Sequence, residues 1–368
     1  MESLTVGQGV FNLVLWGIIV LILRPALKFP HKLKKARKVW GIILILLFCL
    51  FPFWGGDYFH YEDIWNETRQ GGYSSLEPVY IWLIGYTGSY FVFRLIVWGL
   101  SLLLLFGTYK RVGYSFDLSL FIFATLYMPW FSYARASLAM SCILFGLTFL
   151  SKPLKRANLF SILIGLAIVG CSEFFHRSAL LGIVAVVASL LVVDNKRNRI
   201  LILFLLYPVI IYLMSYVLDI TMTLDLDNDT YITAKRRDNY LLGERNIGGW
   251  GERLEAYLNQ GALIIVAVAY IVLVRKGLYQ SLNRLEKLIS SYSLCVVLLA
   301  VGFLITKSDY STYILYYRLL LFSAPATAVF LASMKGRYFL KRWYNVIFWM
   351  AFCGTLYALL YAIHCATH

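Results

Sequence analysis

Charge is scarce in this chain, and no stretch of it reads as a soluble interval. Only 14% of its 368 residues are charged, 60% are hydrophobic, and the mean hydropathy is +0.71. That balance excludes a soluble domain of this length and points to a polytopic membrane protein. The six cysteines are scattered, five of them inside apolar runs, without the paired spacing of a disulfide framework or a zinc site. No phosphate-cradling Gly-x4-Gly-Lys loop is present, and no inner segment is long enough for an ATPase domain, so this chain alone does not drive primary transport. No inverted repeat of hydropathy is visible, which weakens a secondary-transporter reading.

What is present is a succession of apolar runs from end to end. Twelve candidate spans fall at 6–23, 39–54, 89–107, 117–131, 136–150, 158–172, 178–193, 200–218, 257–274, 289–306, 312–333 and 343–364. The expected fold is all-α: one helical bundle of about 12 transmembrane helices (11–14) forming a single transmembrane domain over 1–368. The run 6–23 lacks a basic leader and precedes Arg24-Pro25 and a lysine cluster, so it is read as a retained helix and not a signal sequence. The segment 77–86 reads as re-entrant or interfacial.

Sidedness follows from counting basic residues, which concentrate in cytoplasmic loops. With both termini outside, the inner connections 24–38, 108–117, 151–157, 194–199, 275–288 and 335–342 hold 23 of the 34 lysines and arginines and only Asp117, Asp194 and Glu286 among acids. The net charge of +15 is therefore mainly a topology signal. The Lys32 to Lys38 run is read as an anchor to anionic membrane lipid, and nucleic acid is not an expected partner.

The outer side carries sixteen of nineteen acids and nine arginines, Arg69, Arg94, Arg135, Arg177, Arg236, Arg237, Arg245, Arg253 and Arg318. A charge near the hydrocarbon costs about 2.5–3.5 kcal/mol on insertion scales, so Arg135 and His176-Arg177, bordering apolar runs, need a reason. Arginine's fork of donors suits bidentate contact with phosphate, which points to a phosphate or pyrophosphate ligand; pairing with outer acids is the plainer alternative.

Two outer loops, 55–88 and 219–256, are long enough to build a site over such a cavity. The first mixes Asp57, Tyr61, Glu77 and Tyr80 with further aromatic residues. Rings that cover sugar C–H faces, beside carboxylates that accept hydroxyls, suit a glycan, although aromatics also gather at membrane interfaces without any ligand. The second contains Asp225-Leu-Asp227-Asn-Asp229, which lacks the glycine and later glutamate of a calcium loop. Its stretch from Gly243 to Arg253, with Arg245, Trp250 and Arg253, reads as a flexible lid or as a passive surface loop.

Asp57 with Tyr61, Glu77-Pro78-Val79-Tyr80, Arg135 opening an apolar span, Phe175-His176-Arg177-Ser178-Ala179 and a late Tyr316-Tyr317-Arg318 together resemble the successive signatures of the EpsG family. That family is grouped with Wzy-like exopolysaccharide and O-antigen polymerases, whose architecture is related to GT-C glycosyltransferases and O-antigen ligases. The chain departs from the pattern where Ala136 follows Arg135 in place of a glutamine, which bears on acceptor recognition.

The resemblance implies a polymerase of undecaprenyl-diphosphate-linked oligosaccharide in the bacterial cytoplasmic membrane, its active site facing the periplasm or exterior. It further implies a chain-length regulator as partner, for glycans such as exopolysaccharide, capsule or O-antigen. Arg135, Arg177, Arg318, Arg245 and Arg253 would then meet the pyrophosphate, Tyr61, Tyr80 and Trp250 the sugars, and no metal or cofactor is required. His176 is the leading candidate for the base, with Asp57 and Glu77 as competitors. A plainer account bonds His176 to Glu173, one helical turn earlier, and makes Arg177 a snorkelling anchor. Two other activities fit parts of this picture: a membrane O-acyltransferase modifying glycan, and a lipid-linked glycan flippase or transporter.

Overall fold

A computed structural model describes residues 6–30, 32–51, 55–71, 77–112, 116–128, 134–151, 159–176, 179–193, 281–306, 310–335 and 341–367. Among these residues every element is helical and no strand occurs. In chain order the helices are α1 (Val6–Leu23), α2 (Pro25–Lys28), α3 (Lys35–Leu50), α4 (Gly55–Arg69), α5 (Pro78–Tyr86), α6 (Tyr90–Arg111) and α7 (Phe116–Ile122). They continue with α8 (Ala134–Leu150), α9 (Leu159–Phe175), α10 (Ala179–Val193), α11 (Arg284–Thr306), α12 (Tyr310–Lys335) and α13 (Lys341–Thr367). The expected spans 200–218 and 257–274, and the loop 219–256 with Arg245, Trp250 and Arg253, lie outside the described residues, as does Arg177.

Apart from the four-residue α2 in the basic connection 24–38, each described helix falls on an apolar run, with one informative exception. Residues 55–88, read from sequence as an outer loop, contain two helices, α4 and α5. The α4 sequence is polar and aromatic, so apolar periodicity does not signal it. The α5 helix begins at a proline, which suits a first turn because its missing N–H would have no helical partner there. Two stretches, Gly7–Lys28 and Tyr90–Arg111, are long and apolar enough to cross a bilayer, and shorter apolar helices follow. Large apolar side chains such as Leu21, Trp40, Leu103, Phe160, Leu191 and Trp349 point outward from α1, α3, α6, α9, α10 and α13. Helices apolar on their outer as well as their inner faces suit a lipid surround.

Helix α8 packs against α6 and α9, and α11 against α10 and α12. The α8–α9 crossing is set by two facing glycines. A Cβ on Gly146 would stand 2.9 Å from the Gly165 carbonyl oxygen, and one on Gly165 would stand 3.1 Å from the Gly146 oxygen. Backbones approach this closely only where side chains are absent. The crossing brings the start of α8 and the end of α9 to the same end of the bundle, because the two helices run antiparallel through the short connection after Leu150.

The opposite end is tied by a separate set of polar contacts. Lys38 at the start of α3 meets Asp117 at the start of α7 at 2.6 Å, and the Leu33 amide donates to Asp117 Oδ2 at 3.2 Å. Nearby, Asn283 Nδ2 donates to the Val112 carbonyl after α6, and Ser333 Oγ in the last turn of α12 donates to Glu286 Oε1 in the first turn of α11. These are the connections rich in basic residues. Their separation from the α8 start places Arg135 and the lysine-rich run at different ends.

Between the two ends, α7 widens into a π-helical turn, Phe123–Tyr127. The Met128 amide reaches back to the Phe123 carbonyl at 2.8 Å, and the next residue, Pro129, has no amide proton to give. Side chains from other helices serve the turn's carbonyls: Trp16 Nε1 donates to Ala124 O at 3.0 Å and Thr355 Oγ1 to Leu126 O at 2.8 Å. The chain leaving this turn leads to Arg135.

Candidate active site

Four side chains from four separate segments meet at the end of the bundle opposite the lysine run. Tyr61 comes from α4, Glu77 from the residue that caps α5, Arg135 from the first turn of α8, and His176 from the residue after α9. The Glu77 carboxylate is the centre. Its Oε2 accepts from Arg135 Nη1 at 2.8 Å, and its Oε1 lies 3.3 Å from His176 Nδ1. Arg135 Nε donates to the Tyr61 hydroxyl at 3.0 Å, with the guanidinium carbon 4.8 Å from the Tyr61 ring centroid.

This geometry orients both the guanidinium of Arg135 and the imidazole of His176. Arg135 is held through Nε and Nη1, and its Nη2 carries no protein partner among the described residues. A carboxylate only accepts, so the Nδ1 contact places the imidazole proton on Nδ1 and leaves Nε2 as the basic nitrogen. The ring lies parallel to Phe322 of α12, centroids 6.5 Å apart, which limits its rotation. His176 is thus oriented by a residue 99 positions away, whereas Glu173, its expected helical neighbour, is exposed.

Glu77 lies outside the long apolar helices, and its side chain is 7% exposed. Burial opposes its ionisation, but the His176 hydrogen bond and the Arg135 charge outweigh that and hold the carboxyl down to about 2. It is therefore an anion throughout the neutral range and a weak base.

Beside Arg135 lies a narrow pocket lined by Tyr61, Tyr80, Ile84, Tyr90, Phe93, Arg94, Val97 and Arg135. Tyr80 is one turn beyond Glu77 on α5 and is 1% exposed, packed edge-on against Phe93 and Phe175. Arg94, named in the sequence only among the outer arginines, is buried here. Its Nη2 donates to the Cys49 carbonyl at 2.7 Å, serving the last turn of α3, and its Nη1 to the Tyr90 hydroxyl at 3.3 Å. The signal for it was an arginine inside the apolar run 89–107. Phe322 had no such signal, being one more aromatic residue in an apolar span.

Of the residues singled out in the sequence, the fold brings Tyr61, Glu77, Tyr80, Arg135 and His176 together. Asp57 lies in α4 and Arg318 in α12, but their side chains fall outside the described residues. Among the described residues no cluster of His, Cys, Asp and Glu is arranged to hold a metal ion.

No curated protein and no solved structure matches the chain. A family model does: the model described as "EpsG family" matches residues 37–367, which takes in every member of the Tyr61–Glu77–Arg135–His176 cluster. The chain belongs to the EpsG family of Wzy-like polymerases.

Proposed function

We propose that this membrane protein joins undecaprenyl-diphosphate-linked oligosaccharide repeat units at the outer face of the cytoplasmic membrane. The observation that carries this reading is the shared carboxylate of Glu77, which holds an arginine and a histidine in one constellation. An anionic leaving group and a hydroxyl nucleophile need that pair of groups.

In the reaction, the bond between the anomeric carbon of the donor sugar and its diphosphate oxygen breaks, and the acceptor hydroxyl oxygen bonds to that carbon. His176 Nε2 takes the hydroxyl proton. The imidazolium so formed is stabilised by the Glu77 anion 3.3 Å from Nδ1, as in other carboxylate-oriented histidines. Arg135, through Nη2, stabilises the charge growing on the lipid diphosphate, with Arg177, Arg318, Arg245 and Arg253 as further cations around it. A single displacement of this kind inverts the anomeric centre.

Glu77 acts as a positioning residue in this account, because a carboxyl held near 2 has little affinity for the hydroxyl proton. Asp57 remains the competitor of His176 for the base. Sugar rings are met by Tyr61 and Trp250, and a chain-length regulator is the expected protein partner.

Replacement of His176 by Ala and, separately, of Asp57 by Asn tests the assignment in membranes supplied with the lipid-linked repeat unit. The reading expects polymer formation to fall by about a hundredfold or more in the His176 variant. Wild-type polymer in that variant would remove His176 from the mechanism.

A further inference from the structure

Arg69 is one of the nine outer arginines, a group whose chemistry suits phosphate, yet its guanidinium is turned to the protein. Its Nη1 donates to the Gly88 carbonyl at 3.0 Å and to the Thr87 carbonyl at 3.4 Å, and the guanidinium carbon lies 5.1 Å from the Trp65 ring centroid. Thr87 and Gly88 belong to the turn between α5 and α6. Carbonyls just past a helix C-terminus favour a cation.

Tyr61, Trp65 and Arg69 recur every four residues and so share one face of α4. Each meets a different fixed point. The Tyr61 hydroxyl accepts from Arg135 Nε at 3.0 Å, Trp65 Nε1 donates to Thr87 Oγ1 at 3.5 Å, and Arg69 takes the turn carbonyls. Helix α4 therefore lies along α5 in the same sense, with Tyr61 beside the Glu77 end of α5 and Arg69 beside its Thr87 end. Gly71, with φ +80°, closes the helix just past Arg69. Only Ile64 and Trp65 are buried among the described side chains of α4, while Asp63, Asn66 and Glu67 are exposed. So little apolar surface leaves the register of the helix to directional contacts.

We propose that Arg69, with Trp65, is a clasp that holds α4 in register along α5, and that it serves turnover as a positioning residue, through Tyr61, for Arg135. The proposal rests on the polymerase reading above. It keeps Arg69 apart from the cations that meet the diphosphate, and it gives the polar α4 helix a task, which is to hold the Arg135 guanidinium from the side opposite Glu77's carboxylate contact. The rival account makes Arg69 a direct ligand of the diphosphate, and it predicts a different kinetic pattern.

The test combines backbone hydrogen exchange of the purified full chain, which needs no substrate, with polymer formation from the lipid-linked repeat unit. Wild type is compared with Arg69→Ala, Arg69→Lys, Tyr61→Ala and the double variant of Arg69→Ala with Tyr61→Ala. Arg69 is exposed, so its replacement opens no cavity. The expected result in Arg69→Ala is exchange about tenfold faster in peptides covering 55–71 and unchanged in α8 and α9, with kcat about tenfold lower at unchanged KM. Arg69→Lys still donates to a carbonyl and should recover part of both. In the Tyr61→Ala background, Arg69→Ala should cost no more than about twofold further, because the residue it acts through is already gone. Wild-type exchange in Arg69→Ala would overturn the clasp, and so would faster exchange throughout the chain, which would mark general destabilisation. Faster exchange of α4 with wild-type kcat would overturn the positioning role. A raised KM, or an undiminished loss in the Tyr61→Ala background, would make Arg69 a substrate contact and overturn that role too. If wild type joins no repeat units, the polymerase reading fails and the role in turnover fails with it, while the exchange data still decide the clasp.

Discussion

Glu77 and His176, 99 residues apart in the chain, are joined through Oε1 and Nδ1 at 3.3 Å, while the other oxygen of the same carboxylate holds Arg135. A single acidic side chain thus sets the orientation of both groups proposed to act on the substrate. Most expected effects of substitution follow from that shared dependence.

Replacing Glu77 by Gln keeps the shape and removes the charge that both neighbours face. Loss of one partner from a buried pair leaves the other poorly compensated, and the expected destabilisation is about 3 kcal/mol. Polymer yield should fall by about a hundredfold, because the histidine and the arginine lose their common anchor together. Thermal unfolding and product sizing on the same detergent preparation measure both effects. Wild-type yield with lowered stability would confine Glu77 to a structural role.

The same carboxylate gives a pH signature. Its folded-state value of about 2 lies below the ordinary 4.5, so its contribution to stability is complete above pH 4.5 and is lost as pH falls toward 2. The shift corresponds to roughly 3 kcal/mol. Between pH 6 and 8 the Glu77 contribution is constant. Unfolding midpoints taken from pH 6 down to 3 should therefore converge for wild type and Glu77→Gln, and a gap that stays constant over that range would contradict the ion pair.

Tyr61 offers Arg135 both a hydroxyl acceptor and a ring face. Tyr61→Phe removes the first and keeps the second, and should reduce turnover by about tenfold. Tyr61→Ala removes both and should cost more, by a further factor of a few. Equal activity in the two variants would show that the ring contact contributes nothing to the arginine's placement.

The α8–α9 crossing predicts a different kind of failure. Gly146→Val introduces a Cβ that would stand 2.6 Å from Val169 Cγ2 and 2.9 Å from the Gly165 carbonyl oxygen, so backbone must move. The expected cost is about 1–3 kcal/mol or more, seen as reduced accumulation of folded protein in the membrane. Substitution at Gly17, where an added Cβ meets nothing within 4 Å, should be tolerated.

Much of this arrangement was legible in the sequence for a simple reason: hydrocarbon makes charge costly, so each polar residue within or beside an apolar run stands out. Arg135 and His176 were visible on that basis, Tyr61 and Glu77 as members of an aromatic, acidic outer loop and of the family signatures, and helix α1 matches its expected run from 6 to 23. Partnership was not visible. Helical spacing suggested Glu173 for His176, because a sequence shows neighbours one turn away and not those 99 residues distant. The α4 helix was missed because its polar, aromatic sequence carries no apolar stripe, and the π-helical turn because it depends on Trp16 and Thr355 from distant helices. Arg94 was visible as a charge, but its place beside Arg135 depends on the packing of α5 and α6 around the pocket.

The most direct test of the central claim is to incubate the purified protein with its host's lipid-diphosphate-linked repeat unit and resolve the products by size, wild type beside Arg135→Ala at equal membrane abundance. The account predicts a ladder spaced by whole repeat units from the wild type and none from the variant. A wild-type ladder from Arg135→Ala, or a single added unit from the wild type, would contradict it.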